Sequence, residues 1–199
     1  MNVLFFGDVH GDAKKAELLV KKSKDADLMV CCGDLSIMGE GFGDIISILD
    51  KSGKKMLIIP GNNETPTFVE EALEDYENII SIQEDVYEDN GIRFLGIGGG
   101  TVSPWNTPYE LTDDEFKKML SKNYEKVTVL VSHTPPKNTV LDLVGGGMHV
   151  GSFEVGKWIE EHQPKYACFG HIHEAAGKEM KIGKTLCFNP GPEGRIIKI

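Results

Sequence analysis

The sequence predicts an α/β fold, and three observations carry the prediction. Short apolar runs alternate with amphipathic stretches through the first half, an Asn-Gly pair separates two later strand-like runs, and short strand-like runs close the chain. The first half reads as strand 2–6, helix 13–24, strand 28–32, helix 42–51 and strand 55–59, the pattern of right-handed β-α-β units in a largely parallel sheet. A helix over 65–75 follows. Strand-like runs at 79–87 and 92–97 then flank Glu88-Asp89-Asn90-Gly91, a hairpin signal. The second half opens with an acidic helix start at Thr112-Asp113-Asp114-Glu115 and continues with strand 127–131 and helix 153–162, ended by Pro164. Strand 166–169 and antiparallel strands at 180–182, 185–189 and 195–199 complete it. Two sheets, each partly covered by helices, account for this mixture, although propensity alone leaves a three-layer doubly wound fold equally open.

A chain of 199 residues with 40% hydrophobic content fits one domain spanning 1–199, with no repeat or linker. No apolar run approaches the roughly 18 to 20 residues that cross a bilayer, and the opening MNVLFFGDVHG lacks a basic start, so the expected location is the cytoplasm with no membrane partner. A formal charge of −10 argues against a nucleic-acid polymer as partner and against a nuclease, because such binding needs clustered Lys and Arg. Cys31, Cys32, Cys168 and Cys187 lie in apolar segments without C-x-x-C spacing and read as buried thiols; a metal-ligand role for Cys31 or Cys168 is the lesser alternative.

Five dispersed segments carry the chemistry: Asp8-Val9-His10, Gly33-Asp34, Gly61-Asn62-Asn63-Glu64, His133 and Gly170-His171-Ile172-His173. Each follows a strand-like run, where loops can converge while strands hold them. Any one Asp or His is more often a cap or a hydrogen-bonded surface residue, but the conjunction spells a two-metal site. Four of the six histidines fall in these segments and a fifth, His149, follows a glycine run; His162, at a helix end, is the exception and favours the helix dipole. The i, i+2 spacing in Asp8-x-His10 and His171-x-His173 suits an extended loop with both side chains on one side.

In this order the segments resemble the calcineurin-like metallophosphoesterases, whose pattern is D-x-H, G-D, G-N-x-[D/E], H and G-H-x-H. With His149-Val150-Gly151-Ser152 and Asn189-Pro190-Gly191-Pro192, the C-terminal part is similar to the small prokaryotic Icc-type phosphoesterases. The resemblance implies a four-layer α/β/β/α sandwich of two mixed sheets, with a dinuclear metal site in loops at strand ends. It implies Asp8, His10, Asp34 and His173 on one ion and Asp34, Asn62, His133 and His171 on the other, with Asp34 bridging. Imidazole and oxygen donors without thiolate favour two divalent ions such as Mn, foremost, or Fe, Ni, Zn or Co over Ca or Mg. The implied reaction is hydrolysis of a small phosphodiester or phosphomonoester by a metal-bridging hydroxide. Two ions, Asp8, Asp34 and that hydroxide leave the site at about +1, attractive to phosphate.

Many relatives carry His where this chain has Asn63. An amide donates a hydrogen bond but no proton, which costs roughly 10² to 10⁴ in rate for a poor leaving group and slightly favours diesters. Asn63 and His149 are therefore the candidate catalytic and substrate-binding residues, His149 as the replacement proton donor. Ser152 caps the helix starting at 153 and joins them on the phosphate side. No G-x-S-x-G context supports a serine hydrolase, and Gly98-Gly99-Gly100-Thr101 lacks a full dinucleotide fingerprint. The segment through Trp105, Pro108 and Tyr109 reads as an edge of the pocket or, equally, as ordinary packing. The alternative function is a catalytically weak interaction scaffold of the same fold, against which the complete ligand set speaks.

Overall fold

Four of the five residues of β1 (Asn2–Phe6) are fully buried, which requires cover on both faces of its sheet. The computed structural model, which describes residues 1–199, shows two different covers. Leu4 and Phe6 pack with α1 (Ala13–Lys22), α2 (Phe42–Asp50) and α3 (Pro66–Ala72). Val3 and Phe5 pack instead with Phe94, Val129, Val131, Cys168 and Phe188 of a second sheet.

In the first sheet β1 pairs in parallel with β2 (Leu28–Cys31), which continues through β3 (Met56–Ile58) to β4 (Ile79–Ser81). These strands follow chain order, so crossovers of one hand place all three helices on one face and leave the other free for a sheet. The second sheet runs from β5 (Val86–Asp89) through β6 (Ile92–Ile97), β9 (Val129–Ser132), β12 (Tyr166–Phe169) and β14 (Thr185–Phe188) to β13 (Glu179–Ile182). Its outer face carries α4 (Asp113–Leu120) and α5 (Phe153–His162). The result is the four-layer sandwich. Two small ladders join β7 (Gly100–Thr101) to β8 (Glu110–Leu111) and β10 (Leu143–Val144) to β11 (Met148–His149).

Local signals set the helix starts. Thr65 caps α3 ahead of Pro66, Thr112 and Glu115 form a reciprocal capping box on α4, and the Ser152 hydroxyl accepts from Val155 N at 3.3 Å. The hairpin at Asn90-Gly91 is present, with both residues left-handed.

Two expectations need correction. The run 79–87 is two strands in different sheets: after β4 the chain crosses over, and Gln83 bridges to Gly96 before β5 begins. Both halves are apolar enough to sit in the shared inter-sheet core, so hydropathy hides the break. The closing strands are not one antiparallel set either. β14 lies parallel to β12, and β15 (Arg195–Lys198) returns to the first sheet, antiparallel to β1. The glycine-rich 145–147 stretch forms the turn between β10 and β11.

Candidate metal centre

Loops leaving the C-terminal ends of β1, β2 and β3 in one sheet and of β9 and β12 in the other deliver all seven expected ligands to one place. His10 Nε2 and His173 Nε2 lie 2.9 Å apart. Asn62 Oδ1 lies 2.8 Å from His171 Nδ1 and 3.1 Å from His133 Nε2. Asp34 Oδ2 stands between these groups, 3.8 Å from His10 Nε2 and 3.5 Å from His133 Nε2. Asp8 can join His10 and His173, or Asp34 and His133, with ligand atoms within 4.8 Å of one another in each group.

The loops are not extended, contrary to the expectation from the i, i+2 spacing. Asp8, His10, Asp34 and His171 have φ of 56°, 50°, 56° and 68°, in the left-handed region that costs a non-glycine residue about 1–3 kcal/mol each. The surroundings hold them there. Asp8 N donates to Gly33 O at 3.0 Å and His10 N to Asp34 O at 3.1 Å, stitching the first loop to the second, while His171 N donates to Asp8 Oδ1 at 2.9 Å. Close approach sets the glycines: a Cβ on Gly33 would sit 2.6 Å from Gly61 Cα and 2.8 Å from His133 Nδ1.

The donor set fits divalent cations. Asp8 and Asp34 are each 3% exposed, and no Lys or Arg forms an ion pair with either at the centre. Two buried carboxylates that share one site repel each other, and a bound cation removes that cost. Backbone carbonyls orient the imidazoles: His10 Nδ1 meets Ser36 O at 3.1 Å and His133 Nδ1 meets Cys32 O at 2.7 Å, which turns each Nε2 lone pair toward the cluster. Titration reflects the crowding. Burial raises Asp8. Burial works to raise Asp34 too, but His133 and the Asn63 backbone N–H outweigh it and hold the carboxyl below its usual range. Burial works to lower His133, yet Asp34 beside it lifts the imidazole to about 9, whereas burial and the His133 charge push His171 down to about 3. The cysteines take no part in it: Cys32 Sγ and Cys168 Sγ face each other at 2.9 Å in the inter-sheet core, and all four thiols are buried.

Asn63 is fixed at both ends, Nδ2 donating to Asp34 Oδ2 at 2.7 Å and Oδ1 accepting from Met38 N at 3.0 Å. His149 makes no contact with the ligand cluster. Its Nδ1 meets Asp142 Oδ1 at 2.7 Å, and its ring borders a cavity of about 390 Å³ shared with Thr101, Asp113 and Lys137. The Gly100–Thr101 segment runs between its loop and the centre: Thr101 Oγ1 donates to Val150 O at 2.6 Å, and a Cβ on Gly100 would lie 2.7 Å from Asn62 Cβ and 3.1 Å from His171 Cε1. Ser152 is fully buried, its hydroxyl donating to Asp113 and accepting from Val155, so only its capping role is visible.

Sequence reasoning gave no role to Glu64 or Asn189. The 1%-exposed Glu64 carboxylate accepts from Ser36 N at 2.8 Å and Ser36 Oγ at 2.6 Å, and from Asp34 N at 3.2 Å and Gly61 N at 3.1 Å. Asn189 Nδ2 donates to Ile172 O at 3.1 Å and Gly170 O at 3.4 Å, holding the His171–His173 loop. Their signal was present, in the acid closing Gly61-Asn62-Asn63-Glu64 and in Asn189-Pro190-Gly191, but nothing in the sequence says what they touch.

The family model of calcineurin-like phosphoesterases matches residues 1–175, a span containing all seven candidate ligands. The chain belongs to that family. The membership supports a metal-dependent phosphoester hydrolase in general. An uncharacterized protein of Methanocaldococcus jannaschii is 35% identical over 206 aligned positions, covering 99% of this chain and 91% of that one. Among solved structures, the protein TT1561 of Thermus thermophilus superimposes with a TM-score of 0.76 at 19% identity, over 96% of this phosphoesterase and 90% of that chain. A dimetal phosphatase from Danio rerio gives 0.60 at 12% identity, over 95% and 86%. At such identities the two likenesses speak for the fold alone. No helix is long and apolar enough to cross a membrane.

Proposed function

We propose that this metallophosphoesterase holds two divalent ions and hydrolyses a small phosphodiester or phosphomonoester. The observation that carries the reading is the convergence of seven donor side chains, two of them buried carboxylates with no Lys or Arg beside them. Asp8, His10, Asp34 and His173 hold one ion and Asp34, Asn62, His133 and His171 the other, with manganese the first choice and Fe, Ni, Zn or Co compatible with the donors. The two ions supply Lewis acidity toward the phosphoryl oxygens and an acidified water as nucleophile near neutral pH. The chain supplies the rest. Asn63 fixes the orientation of Asp34 and contributes an amide hydrogen on the substrate side. The buried Asp142 carboxylate, held below its usual range because His149 and backbone N–H groups outweigh burial, keeps the His149 Nδ1 proton in place and leaves Nε2 to hand a proton to a departing alkyl oxygen. Four unpaired thiols suit a reducing compartment, which favours a cytoplasmic enzyme.

The test is to strip the protein of metal, reload it separately with Mn, Ni, Zn and Fe, and assay aryl monoesters and diesters beside cyclic nucleotides. Turnover with at least one metal is expected. Two ions bound and no turnover with any metal would instead favour the scaffold reading. Proton donation by His149 has its own readout: His149→Ala should slow alkyl esters by about 10²-fold and aryl esters far less. Equal losses on both would remove the proton-donor role.

A further inference from the structure

Beside the metal centre, and outside the ligand set, a cleft of about 310 Å³ opens between the turn after Asp34, helix α3 and the loop carrying Pro108. Its walls are Met38, Phe68 and Pro108, Asn63 forms part of its lining, and Glu40 is its exposed acid. We propose that this cleft receives the leaving group of the substrate and selects an uncharged, ring-sized apolar group, an aryl ester above all. The proposal rests on the phosphoesterase reading.

Position is the first argument. Met38 N bonds Asn63 Oδ1 at 3.0 Å and Asn63 Nδ2 bonds Asp34 Oδ2 at 2.7 Å, so one side chain spans from the cleft wall to the central carboxylate. A phosphoryl group at the centre has this cleft next to it.

Both walls are built before any ligand arrives. The Ile37–Glu40 turn closes on itself through reciprocal backbone bonds of 3.3 and 2.9 Å, and Gly39 N donates to Ser36 Oγ at 3.1 Å. Phe68 is braced edge-on by Phe42 at 5.3 Å between ring centroids. On the far side, Glu110 accepts from the backbone and hydroxyl of both Ser103 and Thr107, and Tyr109 N donates to Asn62 O at 3.0 Å, tying that loop to a ligand residue. Such a frame keeps apolar side chains in water that a free chain would fold away. Ile37, Met38 and Trp105 are 56%, 53% and 79% exposed, and all three belong to these two loops.

Chemistry supplies the selection. No Lys or Arg lines the cleft, and Glu40 repels an anionic substituent, which disfavours a second phosphate or a carboxylate on the leaving group. The volume, at the small end for ligand sites, suits one or two fused rings. Asn63 has no proton to give and His149 does not line this cleft, so an oxygen leaving here departs unprotonated and must be a weak base, as a phenolate is.

The experiment compares methyl phosphodiesters of naphthol and carboxynaphthol, whose phenolic acidities are close, on the metal-loaded enzyme. The neutral ester is expected to have the higher kcat/KM by roughly tenfold or more. Glu40→Lys, an exposed change, should bring the ratio to near unity, and Met38→Ser should slow the neutral ester by about tenfold while sparing the charged one. Equal rates for the two esters in the unaltered enzyme, or a preference that survives both substitutions, would overturn the cleft assignment alone. Hydrolysis of neither ester with a metal that supports turnover of an aryl monoester would overturn the cleft alone, and no turnover of the diesters or the monoester with any metal would overturn the phosphoesterase reading and the cleft with it.

Discussion

Asp34→Asn is expected to lower turnover by roughly 10³-fold, the scale on which losing one preorganised electrostatic element is felt, and to release bound metal while the chain stays folded. Asp34 Oδ1 accepts from Asn63 N at 3.0 Å and Oδ2 from Asn63 Nδ2 at 2.7 Å, and Oδ2 also faces His10 and His133. An asparagine has the same shape but no charge, and one of its two ends becomes a donor pointed at an Asn63 N–H. The change removes the anion that pairs with His133 and disturbs the hydrogen bonds that aim it. It also removes the repulsion between two buried carboxylates, Asp8 and Asp34, so stability of the metal-free protein should change little. Metal per chain measured by plasma mass spectrometry, turnover of an aryl diester and a thermal melt with chelator separate these effects. Full metal occupancy with near-native turnover would show that Asp34 does not sit between the ions.

Much of this site was legible because ligand chemistry tolerates few residue types. Asp8, His10, Asp34, Asn62, His133, His171 and His173 announce themselves by identity and by their place after apolar runs, and the structure brings all seven together. What the letters could not convey is how backbone conformation serves them: the left-handed turns at Asp8, His10 and His171 place side chains that an extended loop was expected to place. The choice between three and four layers was also hidden. Val3-Leu4-Phe5-Phe6 is apolar on both faces whether a helix or a sheet covers the second, so strand composition is silent and only the resemblance pointed to two sheets. The same ambiguity concealed the crossover between β4 and β5. His149 shows the opposite limit. Its residue type suggested proton transfer, and the partner that orients it, Asp142, lies seven positions away in a stretch with no motif.

Glu64 has the largest expected effect among residues that touch neither metal nor substrate. One oxygen gathers Ser36 N and Ser36 Oγ, and the other gathers Asp34 N and Gly61 N, so a single carboxylate joins the turn after β2 to the turn after β3. A Cβ at Gly61 would collide with Asp34 Oδ1 and lie 2.5 Å from Asp34 N, which shows how closely the carboxylate must hold the two loops. Burial and the nearby Asp34 charge raise the Glu64 pKa, so ionising it works against its setting, and the four donors are what offset that cost. Glu64→Gln keeps the volume but turns one acceptor end into a donor, leaving either the Ser36 pair or the Asp34 and Gly61 pair of N–H groups without a partner. Unsatisfied buried donors cost about 1–3 kcal/mol each, so a loss of about 3 kcal/mol is expected, lowering Tm by roughly 6–12 °C for a chain of this size. Because the orphaned groups orient Asp34, metal affinity should fall about 10- to 100-fold even at temperatures where the variant is fully folded. Calorimetric titration of Mn into metal-free variant, well below its melting temperature, beside a melting curve reads both quantities. A lowered Tm with unchanged Mn affinity would make Glu64 a purely structural tie, and unchanged values of both would mean that the two loops hold their ligands without it.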